Sequence, residues 1–225
     1  MSRLANLPAG IRWMLYAALG LLVLTLVQEW GTDDTSRLTA NGTSSTMLRW
    51  SMVVLLAGLG GLFSERAGIV NIGLEGMMIL GTWFGAWGAL QFGHPLWGLV
   101  AGLVGGALGG LLHAIATVTF GVDQIVSGVA INILAPGLAR YLSERVFGGM
   151  EGGSVSQSPR VESTAKFDVP ILSDLFNAIR DWDIWFISDI ASMLRGFVVQ
   201  ISVFTLLALL LVPLSAFVLS RTKFG

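Results

Sequence analysis

Four polar side chains carry most of the chemistry this sequence offers. Asn71 and Glu75 lie in the stretch Ser64-Glu-Arg-Ala-Gly-Ile-Val-Asn-Ile-Gly-Leu-Glu-Gly76, and Gln124 and Asn132 lie in the run Phe120 to Asn132. Carboxylates and amides supply hydrogen-bond acceptors and donors suited to a polar small molecule. Their surroundings are apolar, with Met77 to Trp87 following Glu75. A carboxylate at the centre of a bilayer costs roughly 2.5 to 3.5 kcal/mol on insertion scales, so protein or water must solvate it. Asn71 and Glu75 are four residues apart and would share one side of a continuous helix. Gln124, Gly128, Asn132 and Pro136 repeat the same spacing. Each of the four polar residues has two readings. Asn71 and Glu75 either line a translocation path or give structural support, Glu75 by bonding glycine-exposed backbone amides or Arg66. Gln124 and Asn132 either line the path or form interhelical hydrogen bonds, worth about 0.6 kcal/mol each in one membrane protein.

Other chemistries lack their residues. No G-x-x-x-x-G-K-[ST] loop occurs, and the lysines are Lys166 and Lys223 alone, so the chain cannot be its own nucleotide motor by that mechanism. With no cysteine, and with His94 and His113 distant in sequence from one another, no metal-ligand spacing exists and no cofactor is implied. His113 reads as a packed or helix-bonded histidine rather than a proton carrier. A formal charge of −1 argues against a nucleic-acid surface.

The elements that must position these residues are membrane helices. Apolar residues make up 54% of the 225 and charged residues 12%, and mean hydropathy is +0.75, so much of the apolar surface must face lipid. Six spans are expected: Trp13 to about Val27, Met47 to Phe63, Ala67 to Phe92, Leu96 to Phe120, Gln124 to Tyr141 and Gly196 to Leu219, with a broken or re-entrant piece near residues 64–76. Gln28 to Thr46 reads as a polar outer loop. Glu65 and Arg66 read as a local ion pair at the inner boundary. Gly98, Gly102, Gly106 and Gly110 recur every fourth residue and predict a flat face for close helix packing. Pro136 should kink its helix beside Asn132. Trp83 and Trp87, one turn apart, suit an aromatic belt better than stacking on a base. Residues 143–195 are too charged to span and read as an extracytoplasmic loop, in which Asp174 to Leu194 is either an interfacial helix or a lid packed on the outer face of the bundle. Arg3 and Arg12 before the first span, and Arg221 and Lys223 after the last, place both termini in the cytoplasm.

The motifs Glu65-Arg-Ala-Gly-Ile-Val-Asn71-Ile-Gly-Leu-Glu75-Gly-Met-Met78 and Phe120-Gly-Val-Asp-Gln-Ile-Val-Ser-Gly-Val-Ala-Ile-Asn132 closely resemble those of permease subunits of prokaryotic ABC importers for nucleosides and simple sugars, within the broader branched-chain amino-acid permease group. The resemblance, flanking helices included, covers about residues 47–142. It implies an all-α, polytopic transmembrane helical bundle forming one permease domain, the N-terminal portion of a longer family fold. It also implies an ABC ATPase subunit, a second permease subunit and an extracytoplasmic substrate-binding protein as partners, with a small-molecule cargo and the prokaryotic plasma membrane as location. In that family the chain continues past a basic Phe-Gly sequence like Arg221 to Gly225 into a helix that docks on the ATPase, so a fragment or an incomplete reading frame is expected. The chain is then a transport subunit, not an enzyme, and nucleosides are the first choice of cargo. The competing readings are a simple-sugar or branched-chain amino-acid ABC permease, an ion-gradient-driven carrier using Glu75 as its proton site, and a non-transporting scaffold.

Overall fold

A computed structural model of the chain describes residues 41–181 and 185–222, with scattered positions between 8 and 23. Among the described residues there are seven α-helices, which we label in chain order: α1 Asn41–Arg66, α2 Leu74–Phe92, α3 Pro95–Ala114, α4 Gln124–Val146, α5 Pro170–Arg180, α6 Trp185–Gly196 and α7 Val203–Arg221. A π-helical turn, Ile115–Thr119, continues α3. The described sheet is a two-residue antiparallel ribbon, in which β1 (Lys166–Phe167) pairs with β2 (Ile201–Ser202). The chain is an all-α transmembrane bundle, and its described helices divide between two compact units. One unit holds residues 52–165 and 207–225, the other residues 1–51 and 166–206.

Four helices among the described residues are long and apolar enough to cross a membrane: Gly42–Arg66, Pro95–Thr119, Gln124–Val146 and Val203–Arg221. Of the expected first span from Trp13, positions 13, 16, 19, 20 and 23 are described, all as helix; Arg3, Arg12 and residues 28–40 of the expected outer loop lie outside the described residues. Residues 41–46 of that loop belong instead to α1, which runs for 26 residues where the apolar stretch alone suggests 17 or so. The expected third span divides. Residues 67–73 form a non-helical link, and α2 begins only at Leu74. Helix α2 is not among the four because Glu75, Gln91, two tryptophans and four glycines make its 19 residues less apolar. Gly76, Met77, Leu80, Trp83, Gly88 and Ala89 are all buried, so much of its surface meets protein rather than lipid.

The first unit is built on α2, α3 and α4. Helices α2 and α3 form an antiparallel hairpin closed at Gly93, with φ of +67°, and at His94, whose Nδ1 accepts from the Leu96 amide 3.2 Å away. Their contact is as flat as the glycine row predicts, but only along part of its length. A methyl on Gly98 would lie 2.7 Å from the Gly85 carbonyl oxygen, and one on Gly102 would lie 3.0 Å from that of Gly81. At Gly106 the nearest atom is the Met77 carbonyl oxygen at 3.7 Å, and at Gly110 nothing stands within 4 Å. Helix α4 runs parallel to α2, with Gly128 against Gly73 near one end and Ser143 against Trp83 further along. It extends through Pro136 to Val146, past the expected end at Tyr141.

In the second unit, α5 and α6 pack together beside the ribbon, and residues 170–196 form two helices where sequence suggests one. The expected span from Gly196 begins as helix only at Val203, because Ile201 and Ser202 pair with β1.

Candidate functional site

The non-helical link has a defined start and a defined end. Helix α1 stops because Gly68 takes the left-handed conformation, with φ of +80°, which costs a residue without Cβ little. The Gly68 amide then donates to the Glu65 carbonyl at 3.0 Å and the Ile69 amide to that of Ser64 at 3.0 Å. This paired closure satisfies two carbonyls that the helix end would orphan. At the far end, the Asn71 Oδ1 accepts from the Gly73 amide at 3.0 Å, a local turn that delivers the chain into α2. The Asn71 Nδ2 points to the Met77 sulfur at 3.4 Å.

Helix α4 holds this link at two points. The Val70 amide donates to Gln124 Oε1 at 2.6 Å, and Gln124 Nε2 reaches the Gly68 carbonyl at 3.4 Å. Two turns on, the Gly76 amide donates to Asn132 Oδ1 at 2.7 Å, while Asn132 Nδ2 donates to the Ile72 carbonyl at 2.9 Å. Between the two amides lies Gly128, where a methyl would come 2.8 Å from the Gly73 nitrogen. One at Gly76 would come 2.6 Å from the Ile131 carbonyl oxygen. The predicted stripe is therefore real as a face. Gln124 and Asn132 grip main chain, and Gly128 lets the two backbones meet. Pro136 has no N–H to offer the Asn132 carbonyl, one turn earlier.

The expected pairing of Asn71 with Glu75 on one helical side does not occur, because Asn71 precedes the helix. Glu75 sits in the first turn of α2, where the helix dipole favours a negative charge. It is exposed, and its carboxylate bonds neither Arg66 nor a glycine amide; the amide of Gly76, next in the chain, donates to Asn132. Nor do Glu65 and Arg66 form the expected ion pair, since α1 carries both to its end as exposed side chains without a shared bond. Of the four polar residues, three have their side chains engaged and Glu75 alone is free among the described residues.

Two buried contacts near the link are poorly marked in the sequence. His113 is 3% exposed, and its Nδ1 shares a hydrogen bond with the Ser127 hydroxyl at 2.9 Å; its Nε2 has no partner among the described residues. This is the packed histidine the sequence suggests, with a partner that no local pattern names. Trp83 is buried, not in a belt. Its indole N–H donates to Ser143 Oγ at 3.1 Å, and its ring lies 5.6 Å from that of Phe147. Hydropathy falls after Tyr141 and so points to a polar loop at Ser143, whereas the helix carries this serine inward to the tryptophan. Trp87 continues a chain of ring contacts from Phe84 to Phe92. Beside the link is an open concavity of about 400 Å³, lined by Val70, Thr117, Asp123, Gln124 and neighbouring residues. Asp123 faces its own helix, its Oδ1 accepting from the Ile125 and Val126 amides at 2.9 and 3.1 Å. No group of three or more metal-ligating side chains occurs among the described residues.

A family model described as branched-chain amino acid transport system / permease component matches residues 43–225. The chain is 34% identical over 185 residues to the guanosine ABC transporter permease protein NupQ of Bacillus subtilis, covering 79% of this chain and 51% of that protein. It is 32% identical over 187 residues to the nucleoside ABC transporter permease protein NupC of Lactococcus lactis, covering 80% of this chain and 52% of the relative. A putative glucose ABC transporter permease protein of Haloferax volcanii, TsgC13, is 35% identical over 102 residues, or 45% of this chain and 31% of its own length. The chain thus spans about half the length of the first two of these curated relatives. No solved structure matches it significantly. With a match from residue 43 to 225 that takes in the link, its clamp and four apolar helices, the chain belongs to the permease component family of branched-chain amino acid transport systems, a family of membrane transport subunits.

Proposed function

We propose that the chain forms part of the translocation path of an ATP-driven nucleoside importer. The observation that carries this is the similarity, over four-fifths of the chain, to one permease named for guanosine and another named for nucleosides. In this reading a separate ATPase supplies the energy, a second permease subunit completes the path, and an extracytoplasmic binding protein delivers cargo at a prokaryotic plasma membrane. Both termini lie in the cytoplasm, and residues 147–200 face outward.

In this reading the four polar residues divide their roles. Gln124 and Asn132 set the course of residues 67–76, and Asn71 sets the turn into α2. Glu75 is the residue left to meet cargo. Its carboxylate accepts hydrogen bonds from ribose hydroxyls, and its place in the first turn of α2 sets the positive end of the helix dipole beside it.

Uptake of labelled guanosine by cells carrying the complete transporter tests both parts. Unlabelled adenosine should compete, and ribose, glucose and leucine should not. Uncouplers should leave uptake intact while ATP is maintained. Glu75→Gln should lower uptake about tenfold or more, as expected when a charge-assisted hydrogen bond of about 1.5 to 3 kcal/mol is weakened, with unchanged thermal stability. Competition by glucose or leucine in place of adenosine would refute the nucleoside assignment. Full activity of Glu75→Gln would remove Glu75 from the path.

A further inference from the structure

The second unit contains a helix whose apolar side faces away from protein. Ile171 is 82% exposed, Leu175 51% and Leu172 40%, and at about 100° per residue these three fall within one arc of roughly 100° on α5. The buried position of α5 is Ser173, whose hydroxyl bonds the Pro170 carbonyl at 3.1 Å; Phe176 and Asn177 are half-buried. Helix α5 therefore packs beside α6 through a side centred on a serine and leaves Ile171, Leu172 and Leu175 outside, with Ile179 half-buried. In water this arrangement would be reversed.

The ribbon fixes where that apolar side lies along the membrane normal. Helix α7 is one of the four membrane-crossing candidates and starts at Val203, directly after β2. Strand β1 pairs with β2, with Lys166 opposite Ser202 and Phe167 opposite Ile201. The Gln200 amide donates to the Asp168 carboxylate at 2.6 Å, and the Val169 amide donates to the Val198 carbonyl at 3.0 Å. Pro170, the first residue of α5, is thus tied within a few residues of the point where α7 enters the bilayer. The connection is too short and too well bonded for α5 to begin far above that boundary. Exposed apolar groups continue around it at Phe167, Ile187, Leu194 and Phe197.

We infer that α5 is a membrane-interface helix, with Ile171, Leu172 and Leu175 inserted among the lipid acyl chains next to the start of α7. The partner is the bilayer itself. Basic and acidic groups are mixed here, with Lys166 and Arg180 among Asp168, Asp174 and Asp181, so attachment comes from apolar burial and is indifferent to headgroup charge. The inference rests on the chain spanning the bilayer and is independent of its cargo.

The chain's lack of cysteine makes the test direct. In the complete transporter, with partner thiols replaced, an environment-sensitive fluorophore is attached at Ile171→Cys, at Leu175→Cys or at Asp174→Cys. Each sample is reconstituted into phosphatidylcholine vesicles, plain or brominated near the carbonyl end of the acyl chains. Quenching by the brominated lipid should be several-fold greater at positions 171 and 175 than at 174, and unchanged when anionic lipid is added. Emission typical of water at all three positions would overturn the inference. So would blue-shifted emission at 171 and 175 that brominated lipid does not quench, because protein would then be the cover. A melting temperature of the purified Ile171→Cys transporter equal to the parent's confirms that the labelled protein is assembled.

Discussion

Helices α2 and α4 begin close together and run parallel, yet their starts are stabilised by different means. Helix α4 caps itself: the Asp123 carboxylate accepts from the amides two and three residues ahead. Helix α2 has Gly73 at the equivalent position and no side chain to offer. Its third amide, that of Gly76, is satisfied by Asn132 from the other helix. A cap carried in the same chain segment stabilises the helix wherever it goes. A cap borrowed from a neighbour stabilises the helix only while the two are docked, so the start of α2 and the course of the link before it depend on a tertiary contact.

The comparison is broken most severely at Gly76. A methyl there meets the Ile131 carbonyl, a main-chain atom that cannot rotate away. Gly76→Ala should separate α2 from α4 at the start of their contact and cost about 1 to 3 kcal/mol or more. We expect the largest fall in melting temperature of the detergent-solubilised transporter from this variant, together with loss of uptake. A Gly76→Ala protein as stable as the parent would show that the close approach is not required.

Asn132→Ala comes next. It strands the buried Gly76 amide and the Ile72 carbonyl together, and removing one side of such a bond costs about 1 to 3 kcal/mol. Asp123→Ala removes a local cap, which is worth about 1 kcal/mol. The difference in kind is sharper than the difference in size. Hydrogen exchange should quicken at residues 70–76 in Asn132→Ala, and only at the first turn of α4 in Asp123→Ala. Equal spread in both variants would erase the distinction between borrowed and local caps.

How much of this the sequence discloses depends on whether the cause is local. The apolar runs, the glycine row on α3 and the stripe Gln124, Gly128, Asn132 are read from periodicity; in the structure Gly98 and Gly102 meet α2, and Gln124, Gly128 and Asn132 meet the link and the start of α2. The break near residue 67 is legible because Gly68 sits where a helix must end. What Asn132 bonds is not legible, since its partners lie 56 and 60 residues away. Trp83 misleads for the same reason: an indole near the end of an apolar run looks interfacial until Ser143 and Phe147 are brought to it by the parallel packing of α4. Gly110 shows the opposite error. Its spacing continues the row, but the contact with α2 has passed to Gly109, where a methyl would lie 3.0 Å from Met77 Cγ, and no atom lies within 4 Å of where a methyl on Gly110 would be.

The smallest expected effect is at Gln124, and it decides whether the clamp is uniform along its length. Gln124 makes the shorter of its bonds to the Val70 amide at 2.6 Å, yet both of its contacts are exposed and the second, to Gly68, stretches to 3.4 Å. Exposed amides released from a partner can turn to water or headgroups, so Gln124→Ala should cost only about 0.5 to 1 kcal/mol, near the low end for a hydrogen bond. Gln124→Glu keeps the acceptor for Val70 and loses only the donor to Gly68, so its melting temperature should fall by less than that of Gln124→Ala. Asn132 differs because the Gly76 amide it satisfies is buried against Ile131 and has no such recourse. The link is therefore held firmly where it becomes α2 and loosely where it leaves α1, and its free movement should be concentrated at residues 67–70. Losses of equal size from Gln124→Ala and Asn132→Ala would mean that both ends are held alike, and that the link moves as one piece with α2.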